Sequence, residues 1–178
     1  SKGGAVLEMF ERWLGPETFQ RGIREYLGSH RFGVATADDL LAALSRVAER
    51  DVATPFRTFL NQPGVPLLQA SLTCETGSAA LHVTQSRFLP VGSTGERAQT
   101  WQIPLCVRHG RGSDVKETCA RVPLAAREWQ IPLETTECPD WVLPNANASA
   151  YVRFALAPVD LEKLRTRAWP LLSPRERL

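Results

Sequence analysis

The sequence predicts an α+β protein: an N-terminal four-helix segment, then an antiparallel β-sandwich, then a C-terminal helix. Three observations carry this. Apolar residues recur at helical spacing through the first 62 residues. Gln62-Pro63-Gly64-Val65-Pro66 then puts two prolines and a glycine where no helix can continue. Beyond that break the apolar period falls from about 3.6 to about 2. The expected domains are 1–62, 66–157 and 158–178. At 178 residues, with 43% hydrophobic and 22% charged residues, the chain has the length and composition to bury a core.

Val6, Met9, Phe10 and Trp13 share one helix face, Gly15 stops that helix, and Pro16 suits the first turn of the next. Phe19, Ile23, Tyr26 and Leu27 continue the pattern to Gly28. Thr36 is an N-cap, with Asp38 and Asp39 at the positive helix end, before the stripe Leu40, Leu44, Val47. Thr54-Pro55 reads as a fourth start, with Val52, Phe56, Phe59 and Leu60 as its apolar set. Short connections make these helices antiparallel neighbours.

About seven strands are expected after the break. Leu68, Ala70 and Leu72 alternate with polar residues, as do Leu81 and Val83. Trp101, Ile103, Leu105 and Val107 are the clearest one-sided strand, and His109 to Asp114 is expected as its hairpin loop. Val115 to Leu124, Trp129 to Leu133 and Ala150 to Leu156 complete the set. Trp-Gln-Ile-Pro-Leu occurs at 101–105 and again at 129–133; the proline in each copy points to an edge or a bulge. From Pro158 the pattern is helical again, through Leu161, Leu164 and Trp169. The chain has no initiator Met and opens directly into a periodic segment, which predicts a piece of a longer protein.

The net charge of +2 comes from 21 basic and 19 acidic residues that are interleaved, so no basic run tracks a phosphate backbone and no nucleic-acid partner is expected. No stretch reaches about 18 apolar residues, so no membrane span is expected. Cys74, Cys106, Cys119 and Cys138 include no C-x-x-C pair, which argues against zinc-ribbon and dithiol redox sites. Four cysteines allow two disulfides in three connectivities, or four buried thiols.

No catalytic constellation is present, so the chain by itself is expected not to turn over substrate. His30, His82 and His109 form no H-E-x-x-H, Gly92-Ser93-Thr94-Gly95 opens no helix, and there is no G-x-S-x-G. Capping accounts for Asp38-Asp39 without an acid–base dyad. Asn147-Ala148-Ser149 is a glycosylation sequon only in a secreted eukaryotic chain.

One series of motifs resembles a known family. Lys2-Gly3 and Met9 are followed by Leu14-Gly15-x-x-x-Phe19, Gly22-x-x-x-Tyr26-Leu27, His30-x-Phe32, Thr36-x-x-Asp39-Leu40 and Gln62-Pro63-Gly64-x-Pro66. In this order they resemble the zinc aminopeptidases of the M1 family. Trp101-x-Ile103-Pro104-Leu105 resembles the family's β-sandwich signature. Asn145 through Tyr151-x-Arg153 resembles its closing N-x-x-x-G-Y-Y-R strand, with Ala150 and Val152 replacing Gly and Tyr.

The resemblance implies that 1–62 is the helical second half of a thermolysin-like catalytic domain. It makes 66–157 the β-sandwich domain of the four-domain type and 158–178 the start of a C-terminal helical domain. It implies a parent that uses zinc to remove N-terminal residues from peptides, with peptide substrates and the rest of the parent chain as partners. The zinc ligands of H-E-x-x-H and a later Glu, and the substrate-anchoring G-x-M-E-N, would all lie upstream. The family tyrosine, in Y-x-K-G, would directly precede Ser1. No catalytic, metal or cofactor residue therefore falls on this chain, and zinc belongs to the parent.

Cys106 and Cys119 flank the hairpin loop and can face each other, while Cys74 and Cys138 can join the sandwich ends. Such pairing would favour a periplasmic, cell-envelope or secreted parent. The alternative function is a non-catalytic sandwich presenting Trp101, Trp129 and Trp141 to a sugar or a protein.

Overall fold

The computed structural model describes residues 1–120 and 126–177. The chain forms two compact units, Ser1–Pro63 and Gly64–Leu178. The fold is α+β, with helices first, two sheets next and a short helical tail.

The first unit holds α1 (Lys2–Leu14), α2 (Pro16–Ser29), α3 (Ala37–Ala48) and α4 (Ala53–Leu60). Its core is Val6, Met9, Phe10 and Leu14 of α1 against Leu41, Ala43 and Leu44 of α3 and Val52, Phe56 and Phe59 at α4. Phe10 is the centre: its ring lies 4.6 Å from that of Phe56, 6.2 Å from Phe59 and 5.7 Å from Trp13. Burying each such phenyl contributes about 1.5–3 kcal/mol.

Trp13, expected on the buried stripe, is only half-buried. The Arg50 guanidinium covers its ring at 4.2 Å, and Leu14 takes the core position. In α2 the contact face centres on Gly22, where a Cβ would meet Leu44 Cδ2 at 2.6 Å. Leu27, five residues on and so turned by about 140°, is 59% exposed rather than part of the stripe.

Thr36 and Asp39 form a capping box: Thr36 Oγ1 accepts the Asp39 N–H at 3.3 Å, and Asp39 Oδ2 accepts the Thr36 N–H at 2.8 Å. Asp38 instead pairs with Arg57 at 2.8 Å. The fourth helix begins at Ala53, before the expected Thr54-Pro55 start, and Asp51 Oδ1 accepts the Thr54 N–H of its first turn at 3.0 Å.

The second unit contains β1 (Pro66–Glu75), β2 (Ser78–Arg87), β3 (Leu105–Arg111), β4 (Asp114–Ala120), β5 (Glu128–Leu133), β6 (Trp141–Leu143) and β7 (Arg153–Leu156). One sheet has the order β5-β2-β1-β7 and the other β4-β3-β6. All pairings are antiparallel except β1–β7, which is parallel. The inward rows are Leu68 and Ala70, Leu81 and Val83, Leu105 and Val107, and Ile131 and Leu133. They obey the period of two read from the sequence.

Three strand boundaries differ from expectation. Trp101, Ile103 and Pro104 are buried but form no strand; Pro104 has no N–H to give a ladder. The buried Gln85 side chain substitutes for a partner strand, its Oε1 accepting the Trp101 N–H at 2.9 Å and its Nε2 donating to Trp101 O at 3.0 Å. His109, Gly110 and Arg111, expected in a loop, extend β3, and the turn is only Gly112-Ser113. The last strand starts at Arg153 rather than Ala150. Before it, Asn145 clasps Ala150 through Nδ2 to O at 3.1 Å and N–H to Oδ1 at 2.9 Å. The expected strand end at Leu124 lies outside the described residues.

The tail comprises α5 (Pro158–Lys163), a wide turn Leu164–Ala168 and a 3-10 turn Trp169–Leu171. Buried Leu164, Ala168 and Leu172 anchor it. Asp160, 3% exposed, accepts the Leu72 N–H at 2.9 Å through Oδ2. That N–H sits just past the last β1–β7 pair, Ala70 with Leu156.

Candidate functional site

The start of α1 is where the motifs of the resemblance converge. Ser1 caps the helix, its Oγ accepting the Gly4 N–H at 3.4 Å. Lys2 Nζ donates to Gln62 O at 3.0 Å and so ties the first turn of the unit to its last residues. No atom lies within 4 Å of a Cβ built on Gly3, so this turn presents bare backbone. Its N–H groups carry the positive end of a thirteen-residue helix.

The three histidines stand in separate places. His30 Nδ1 bonds Tyr26 O at 2.9 Å, and its Nε2 lies 3.7 Å from Asp39 Oδ1. His82 Nε2 meets Glu128 Oε1 at 2.6 Å across β2 and β5. His109 is 2% exposed and reaches Thr118 Oγ1 at 3.3 Å. Burial, and then the nearby Lys116 charge, push its imidazole below the usual histidine range.

Among the described residues, one trio of His, Cys, Asp or Glu brings its donor atoms within 4.8 Å of one another: Cys106, Glu117 and Cys119. Both sulfurs are bonded to each other, so this set offers no thiolate and does not fit a two-histidine, one-carboxylate zinc centre. No step is therefore routed through zinc on these residues.

All four cysteines are in disulfides: Cys74–Cys138 with Cα atoms 5.6 Å apart, and Cys106–Cys119 at 3.9 Å. Of the tryptophans weighed as binding aromatics, Trp101 and Trp141 are fully buried and Trp129 is half-buried. They form no exposed platform. The segment 92–95 is an exposed loop.

Sequence reasoning missed one polar centre. Glu176 Oε1 accepts the Asn147 N–H at 2.7 Å, and its Oε2 accepts the Ser173 N–H at 2.8 Å. Arg108 Nη1 sits 2.9 Å from Oε1. Burial alone would raise the Glu176 carboxyl, but the Ser173 and Asn147 N–H donors and the Arg108 charge outweigh it and lower it. Arg108 Nη2 also donates to Asn147 Oδ1 at 2.8 Å, so the sequon amide is engaged internally. Nothing local in the sequence marks it, because Arg108, Asn147 and Glu176 lie far apart along the chain.

The sequence profile of the peptidase family M1 domain matches residues 1–59. Aminopeptidase 2 of Candida albicans is 30% identical over 164 residues, covering 92% of this chain and 17% of that protein. Aminopeptidase N of Lactococcus lactis subsp. lactis is 33% identical over 105 residues, 59% of this chain and 12% of that protein. Puromycin-sensitive aminopeptidase of Caenorhabditis elegans is 29% identical over 154 residues, 86% of this chain and 16% of its own length. The chain thus spans between 12% and 17% of these relatives. With the family profile on its helical unit and aminopeptidase relatives aligned on through its sheets, the chain belongs to peptidase family M1.

Proposed function

We propose that this chain is a segment of a zinc-dependent metalloaminopeptidase that removes N-terminal residues from peptides, and that the segment alone is inactive. In this reading 1–62 is the helical end of the catalytic domain, 66–157 its β-sandwich domain, and 158–178 the start of a C-terminal helical domain. The observation that carries it is the alignment with an aminopeptidase over 92% of the chain. The arrangement at α1 supports it. A tyrosine directly before Ser1 would be held by the Ser1 cap, the Lys2–Gln62 bond and the packing of Val6, Met9 and Phe10. From there its hydroxyl could stabilise the oxyanion of a tetrahedral intermediate formed elsewhere in the parent.

The catalytic zinc of the parent would polarise the scissile carbonyl and activate water. The residues of this chain would only position and support. The two disulfides favour an oxidising compartment such as a periplasm or the cell exterior. Among the described residues, no helix is long and apolar enough to cross a membrane. The rival reading, a non-catalytic binding module, is disfavoured by the burial of Trp101 and Trp141.

The test is hydrolysis of aminoacyl anilides by this chain and by the full-length gene product. Chelator-sensitive turnover by the full-length protein and none by the chain is the expected result. Turnover by the chain alone, or a parent gene with no H-E-x-x-H, would sink the reading.

A further inference from the structure

We propose that the outer face of the β3–β4 hairpin is a reductively opened site for a soft divalent cation, with Cys106, Cys119 and Glu117 as its ligands. It is distinct from the catalytic zinc of the proposed parent and does not depend on that reading.

The placement follows from register. Cys106 pairs directly with Cys119, and Arg108 pairs with Glu117, so the alternation of strands puts all four side chains on one face. Buried Leu105, Val107 and His109 occupy the other face of β3. Cys119 is exposed and lies on an edge strand, whereas Cys106 is half-buried. An external dithiol therefore reaches Cys119 Sγ. Its thiolate attacks that sulfur, the Cys106–Cys119 bond breaks, and the electron pair leaves on Cys106. The second thiol of the reagent resolves the mixed disulfide. The chain gains two electrons and two protons, and the dithiol departs as its cyclic disulfide.

The strands then hold two thiols side by side with a carboxylate whose donor oxygen is within 4.8 Å of both. Thiolates at this separation suit a soft tetrahedral ion, with metal–sulfur bonds of about 2.3 Å, and binding releases the two thiol protons. Glu117 is pre-set: its Oε2 accepts Asn147 Nδ2 at 3.2 Å, which leaves Oε1 to turn toward the sulfurs. Two thiolates and a carboxylate around a divalent ion carry one net negative charge. The Arg108 guanidinium, 3.8 Å from Glu117, offsets part of it while also pairing with Glu176. Three protein ligands leave the fourth position to water. Cys74 and Cys138 are an internal control, because no third ligand joins them among the described residues.

The chain would be reduced with a phosphine, freed of reductant without oxygen, and titrated with cadmium ion. A thiolate-to-cadmium ultraviolet band saturating at one cation per reduced hairpin is expected, and none from the oxidised chain. The Cys74→Ser/Cys138→Ser variant should keep the band and the Cys106→Ser/Cys119→Ser variant should lose it. Glu117→Gln should weaken binding by at least about tenfold. An equal band in Cys106→Ser/Cys119→Ser, or no band from a reduced chain with intact near-ultraviolet circular dichroism, would overturn the site. So would loss of that dichroism on reduction, because the ligand set exists only while the β3–β4 register holds.

Discussion

The indole of Trp141 packs against Gly110, its pairing partner across β3 and β6. A Cβ on Gly110 would sit 2.6 Å from the ring and 2.9 Å from Asp114 O. Neither neighbour can give way easily, since one is a fully buried ring and the other is backbone. Overpacking of this kind typically costs about 1–3 kcal/mol. Gly110→Ala should therefore lower the urea midpoint by at least the equivalent of about 2 kcal/mol. Gly77→Ala, where a Cβ has open space but φ is 82°, should cost less.

Asp160 caps the end of a strand ladder from 88 residues away in sequence. Asp160→Ala would leave the part-buried Leu72 N–H without its acceptor, at a cost of about 1 kcal/mol. Asp160→Asn keeps a carbonyl oxygen there and should recover more than half of that loss in the same denaturation series. Equal losses for both variants would shift the credit to the Lys163 pair at 3.4 Å.

Two partly buried groups contribute to the acid response of the second unit. The His109 imidazole is held below its ordinary value of 6.5 by burial, so the unfolded chain takes up its proton first and stability declines as pH falls below 6.5. Glu176 is held below its ordinary value of 4.5, so its contribution is complete above that value and is lost as pH falls through the folded value. Thermal melts across the acid range should show both declines. Glu176→Gln should flatten the lower one and leave the upper one in place.

The Cys74–Cys138 bridge closes a loop of 64 residues. A loop of that length removes about 4 kcal/mol of chain entropy from the unfolded state. Cys74→Ser/Cys138→Ser should lose a large part of that in equilibrium unfolding, with native near-ultraviolet dichroism retained.

Local rules were readable wherever the chain satisfies itself over a few residues. Thr36 with Asp39, Gly15 before Pro16, and the Leu68, Ala70 row all follow from spacing alone. What escaped was decided at long range. Gln85 replaces a strand for Trp101, and Asp160 finishes the β1 edge; both are single polar side chains whose partners lie far off in sequence. Their residue types look like surface positions, and only burial shows otherwise. The parallel β1–β7 pair was hidden for a related reason, because strand direction depends on how the chain returns and leaves no mark in side-chain alternation. The start of α1 was recognisable through its motif neighbours, whereas the Lys2–Gln62 contact behind it was not.

That contact has a mechanical consequence. Because Lys2 reaches Gln62, the first turn of α1 is tied to the stretch just past the end of α4. The first turn of α1 is thus staked to the far end of the helical unit, so a displacement of either is felt at the other.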